Sequence, residues 1–112
     1  MEIIARVAYL NNRGIAFEKE GDVTSAITCY EENIKLRWPA THSYERLMVI
    51  YKKLKSKEDE VRVIHCAIGV FTEELNRRNK LGIFSDNIAL TVRKYVNRLQ
   101  RVLKSSGIPN GA

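Results

Sequence analysis

Apolar residues recur at three- and four-residue steps through most of this chain, the period of helices buried on one face. Over about residues 2–20 they are Ile3, Ile4, Val7, Leu10, Gly14 and Phe17. Gly21-Asp22 breaks that run, and Asp22 or Thr24 can accept from the free amides of a second helix over about 23–36. Its Ala26, Ile27, Tyr30 and Ile34 share a face. Trp38-Pro39-Ala40-Thr41 predicts a turn, because proline disfavours helix in the residue before it. A third helix over about 43–54 shows Tyr44, Leu47, Met48, Ile50, Tyr51 and Leu54, and Ser56 with Asp59 after it has the form of a capping box. The fourth carries Val61, Val63, Ile64, Ala67, Ile68, Phe71 and Leu75 and fades near Asn79. Leu81-Gly82-Ile83-Phe84 is then a bend whose apolar groups should be buried. Ser85 or Asp86 caps a fifth helix that runs to about Lys104, with Gly107 and Pro109 closing it. The class is all-α, with five helices.

The pattern repeats, with a period of about 34 residues. A shift by one period aligns Leu10 with Tyr44, Phe17 with Tyr51, Asp22 with Ser56, Ile27 with Val61, Tyr30 with Ile64 and Ile34 with Ile68. Two helices per period of this length resemble the tetratricopeptide repeat, and the wording of residues 44–53 looks like small bacterial repeat proteins. In the first repeat, about 7–40, Leu10, Gly14, Phe17, Ala26 and Tyr30 stand at the family's marked places. In the second, about 41–74, Tyr44, Leu47, Tyr51, Ile64 and Ala67 do so. Met48 and Glu60 depart from the small residues the family has there, and Asn33 departs in the first repeat. The resemblance implies two helix-turn-helix repeats in a single domain spanning 1–112, with the fifth helix, about 85–104, as their cap. That helix's stripe of Ile88, Val92, Tyr95, Leu99 and Val102 could instead pair with a second copy in a homodimer.

The net charge of +6 is uneven, since the last third holds eight bases against Asp86 alone. No apolar run reaches the roughly 20 residues that span a bilayer. The opening Met1-Glu2-Ile3-Ile4-Ala5-Arg6 lacks the charge pattern of a secretory leader, so the expectation is a cytoplasmic chain without a membrane partner. Cys29 and Cys66 form no metal-binding spacing and fit core or boundary positions.

Chemistry is sparse. His42 and His65 are the only histidines; His65 and Cys66 are helix neighbours that point about 100° apart. Glu58, Asp59 and Glu60 suit a helix's first turn rather than a metal site. No glycine-rich phosphate loop occurs, so the expectation is neither enzyme nor cofactor or metal carrier, but an adaptor that grips another protein or peptide. The resemblance places its groove on the first helix of each repeat: Ala8, Asn11, Asn12, Ile15 and Lys19, then His42, Glu45, Arg46, Val49 and Lys53. The alternative is a polyanion or nucleic-acid face on the fifth helix, made by Lys94, Arg98 and Arg101.

Overall fold

Residues able to adopt a left-handed backbone set most of the helix ends. The computed structural model describes residues 2–105, so Gly107 and Pro109 lie outside the described residues. Those described form α1 (Ile3–Lys19), α2 (Val23–Lys35), α3 (Thr41–Lys53), α4 (Lys57–Lys80) and α5 (Asp86–Lys104), with no strand among them. α1 stops where Gly21 turns left-handed (φ 80°), its amide donating to the Glu18 carbonyl and that of Asp22 to Phe17. α3 stops in the same way one period later: Lys55 is left-handed (φ 57°), and Ser56 donates to the Tyr51 carbonyl. Such a pair of bonds satisfies the carbonyls a helix end leaves free. Gly82 (φ 73°) ends α4.

Asp22 caps α2, accepting from the Ser25 amide at 3.1 Å. Ser56 does not complete a capping box. Its hydroxyl donates to the Asp59 carboxylate at 2.7 Å and reaches no backbone amide. α3 begins at Thr41, two residues earlier than its apolar pattern indicates, because the extended Ala40 leaves room for the polar Thr41 and His42 in its first turn.

Each helix packs chiefly on its neighbours in sequence, giving a slab of 45 × 40 × 17 Å. A continuous core runs from Ala26 to Val102, with Tyr30, Tyr44, Tyr95, Leu47 and Met48 among its fully buried side chains. Phe71 meets both Tyr44 and Tyr95 edge-on, with centroids 6.0 and 5.7 Å apart, a favourable ring geometry. Gly14 is the closest approach inside the first hairpin: a Cβ there would stand 2.3 Å from Cε1 of Tyr30. At the equivalent places of the second hairpin, Met48 and Ile64 are both fully buried. The larger residue is on α3 and the smaller on α4, so the volume is divided differently.

Two expectations are corrected. Leu81, Ile83 and Phe84 are not buried, and Phe84 is 86% exposed. α4 has 24 residues against 13 in α3, so its last turns overhang and the bend finds nothing to pack on. The α5 stripe is not free for a second copy either. Tyr95 and Val102 are buried, and Ile88, Val92 and Leu99 pack on the core.

Candidate functional site

The seams between non-sequential helices hold most of the polar side chains the sequence singles out. Along the α1–α3 seam, Asn33 Nδ2 donates to Asn11 Oδ1 at 2.7 Å and to Ser43 Oγ at 2.8 Å, and Ser43 in turn donates to Asn11. His42 stands edge-on to Tyr30 with centroids 5.6 Å apart; its Nε2 is buried without a hydrogen bond. Further along, Arg46 grips Glu18 with two bonds, at 3.1 and 2.6 Å. Glu18 also accepts from the Tyr30 hydroxyl at 2.6 Å. Glu45 faces the other way, accepting from Tyr95 at 2.7 Å and from Lys94 at 3.2 Å. Asn11, His42, Glu45 and Arg46 thus serve as joints between helices. Ala8, Asn12, Lys19 and Lys53 are exposed, and Ile15 and Val49 are half-buried.

These contacts reveal an equivalence that crosses both seams. Asn11 meets Ser43; one period further on, Glu45 meets Tyr95, so Tyr95 on α5 takes the place of Ser43 on α3. With the same two offsets, Glu18 corresponds to Lys52 and Arg46 to Arg98. In these two contacts α5 faces α3 as α3 faces α1.

Each seam ends in a hollow at the turn of its hairpin. The first, of about 130 Å³, is lined by Glu18, Val23, Arg46, Ile50, Lys53 and Leu54. The second is a cleft of about 560 Å³ lined by Lys52, Lys55, Lys57, Glu60, Arg98, Arg101, Val102 and Ser105. Lys57, Arg98 and Val102 fall where Val23, Arg46 and Ile50 stand in the first.

No family model, curated protein or solved structure matches this chain.

Electrostatics separates the two hollows. In the first, the Arg46 guanidinium holds the Glu18 carboxyl below its usual range, outweighing the burial that pushes it up. Burial, followed by the hydrogen bond to Glu18, raises the Tyr30 phenol well above its ordinary value. The second offers no such pair, because Lys52 stands where Glu18 would face the arginine. Of the polyanion face read on α5, Arg98 and Arg101 enter the cleft, whereas Lys94 is drawn to Glu45. Lys52, Lys55 and Lys57 were legible as a basic run through the α3–α4 turn, but only packing brings them to α5.

Elsewhere, burial raises both cysteine thiols, which opposes formation of the reactive thiolate. Among the described residues no group of three or more metal-ligating side chains comes together. No helix among them is long and apolar enough to cross a membrane.

Proposed function

We propose that the chain is a non-enzymatic binding module, two tetratricopeptide-like hairpins capped by α5, whose partner is another polypeptide. Three features support this architecture: the matching turns one period apart, the small residues Gly14 and Ala26 inside the first hairpin, and the equivalent seam contacts. The observation that carries the function is the first hollow. Val23, Ile50 and Leu54 line it, and a volume of about 130 Å³ is close to the roughly 150 Å³ that accommodates a benzene-sized group. Val23 and Leu54 remain substantially exposed, and Lys53 at the rim makes no ion pair among the described residues. An apolar anchor beside an acidic residue is the peptide chemistry that fits.

Selection of displayed random peptides on the immobilised full chain tests this. Enriched peptides should share an aliphatic or aromatic anchor next to Asp or Glu, and should lose at least tenfold in affinity for Leu54→Lys. Peptides without a common anchor, or binding Leu54→Lys unchanged, would remove the polypeptide reading. The polyanion alternative draws on Arg98 and Arg101, but their position in a cleft, with Lys94 paired elsewhere, suits a compact anion better than the extended track a duplex requires.

A further inference from the structure

The second hollow differs from the first in one decisive respect. In the first seam, the carboxylate of Glu18 lies between α1 and α3 and neutralises Arg46. In the second, the corresponding residue is Lys52, and Arg98 has no ion pair among the described residues. Lys52 and Arg98 line one cleft where the fold elsewhere places a salt bridge, together with Lys55, Lys57 and Arg101. This cleft is also the larger of the two, at about 560 Å³ against 130 Å³.

The cleft also contains an unpartnered acceptor. Glu60 lines it, is only 4% exposed, and its carboxylate makes no hydrogen bond or ion pair among the described residues. Its counterpart in the first hairpin is the fully buried Ala26, so packing alone does not require a carboxylate at this place. The little exposure Glu60 keeps opens on the cleft, so its carboxylate is an acceptor available to a donor bound there.

We propose that this cleft binds a phosphorylated small molecule carrying an N–H donor group, of the nucleotide class. A phosphate takes the place that Glu18 fills in the first seam, bridging Lys52 and Arg98, with Lys55, Lys57 and Arg101 around it. The donor edge of the base meets Glu60. Guanine suits a carboxylate well, since its two adjacent N–H groups match the two oxygens. The volume lies within the roughly 300–1,000 Å³ of small-molecule sites. This site is separate from the hollow assigned to a polypeptide, so either can fail without the other.

The test is calorimetric titration of the full chain with GTP, ATP and inorganic tripolyphosphate, without divalent cations, on wild type, Lys52→Glu and Glu60→Ala. Lys52→Glu restores the first seam's arrangement. It should keep or raise the melting temperature and lose more than tenfold in affinity for all three anions. Glu60→Ala imitates Ala26 and should fold. It removes a negative charge, so a cleft that merely attracts anions would bind all three more tightly. With a donor on Glu60, tripolyphosphate tightens while the nucleotides weaken about ten- to hundredfold, the range of a hydrogen bond to a charged group. Glu60→Gln, closer in shape, should also weaken the nucleotides, which guards against a packing effect in the alanine variant. The proposal is overturned if wild type binds neither nucleotide at millimolar concentration, or if Glu60→Ala tightens every anion. Undiminished binding by Lys52→Glu, or an acidic peptide binding the cleft more tightly than GTP, overturns it as well.

Discussion

Replacing Gly14 with alanine tests the tightest contact in the fold. Mid-helix, alanine is favoured over glycine by about 1 kcal/mol, so propensity alone predicts a gain. Packing predicts the opposite. The new Cβ would lie 2.3, 2.6 and 2.8 Å from Cε1, Cζ and Cδ1 of Tyr30. That ring cannot swing clear, because it is fully buried, its hydroxyl is held by Glu18 at 2.6 Å, and its edge meets His42. Overpacking of this kind costs about 1–3 kcal/mol. If the ring is displaced, the hydrogen bond to Glu18 goes too, about 1.5–3 kcal/mol for a bond to a charged group. With both terms, subtracting the propensity gain leaves a net loss of about 1.5–5 kcal/mol, at roughly 4–8 °C of melting temperature per kcal/mol in a chain of this size.

Gly69→Ala is the matched control. It is also mid-helix, but its new Cβ meets only Arg37 Nη2 at 3.7 Å, an ordinary contact, so it should gain up to about 1 kcal/mol. Urea unfolding followed by far-ultraviolet circular dichroism measures both. Should Gly14→Ala prove as stable as wild type, the close contact with Tyr30 is wrong, and with it the packing assigned to the first hairpin.

Removing residues 85–112 should uncover Phe71 and Val70, which α5 helps to bury, and the fragment should aggregate or bind a hydrophobic dye; a monomeric, fully helical fragment would deny α5 its role as cap. At high pH the fold should fail as the buried tyrosines ionise. Tyr30, Tyr44, Tyr51 and Tyr95 are all raised above the ordinary 10.0, burial being the first cause in each, so their stabilising share is complete below pH 10.0 and is lost as pH climbs past it. In a Tyr9→Phe chain, tyrosinate absorbance and loss of helix should coincide; ionisation with the helices intact would contradict that burial. At the acid end the sign reverses. Glu18 is lowered from 4.5, so its contribution is present above that value and disappears as pH falls through the folded one, and Glu18→Gln should flatten the acid limb of a stability–pH curve.

The helices were legible because the apolar period, Gly21, Pro39 and Gly82 all spoke to local backbone. The overhang of α4 was not, since a missing neighbour leaves no trace in a periodic pattern. Phe84 reads as core by hydrophobicity and lies in solvent by geometry. Sequence could name Asn11, Glu45 and Arg46 as polar positions on first helices, but their direction depends on which helix lies opposite. Each turned out to face a partner across a seam. The departure of Glu60 from a small residue was visible in the sequence, whereas its meaning required Arg98 and Arg101, a whole helix further along the chain, to arrive at the same cleft.

If the two hairpins are repeats, as proposed, stability alone gives little reason to treat their two seams differently. The second hairpin departs from the first at four equivalent places around one cleft, and each departure is unfavourable taken singly. Lys55 holds the left-handed backbone that Gly21 adopts in the first hairpin, a conformation costing roughly 1–2 kcal/mol for a side chain with a Cβ. Glu60 sets a carboxylate at the place of the fully buried Ala26. Lys52 forfeits the bridge that Glu18 makes, and Lys57 sets a charge where Val23 offers apolar surface. Arg37 bears the same left-handed strain (φ 54°) away from this cleft. All four residues of the second hairpin line one hollow, together with two arginines from α5. Local rules broken together at one place are the mark of a site whose favourable energy comes from something bound. The proposed anion carrying a hydrogen-bond donor would answer most of them at once, bridging Lys52 to Arg98 and giving Glu60 a donor. The strain at Lys55 is not relieved by this, but it keeps an ammonium group at the cleft's edge where glycine would leave none.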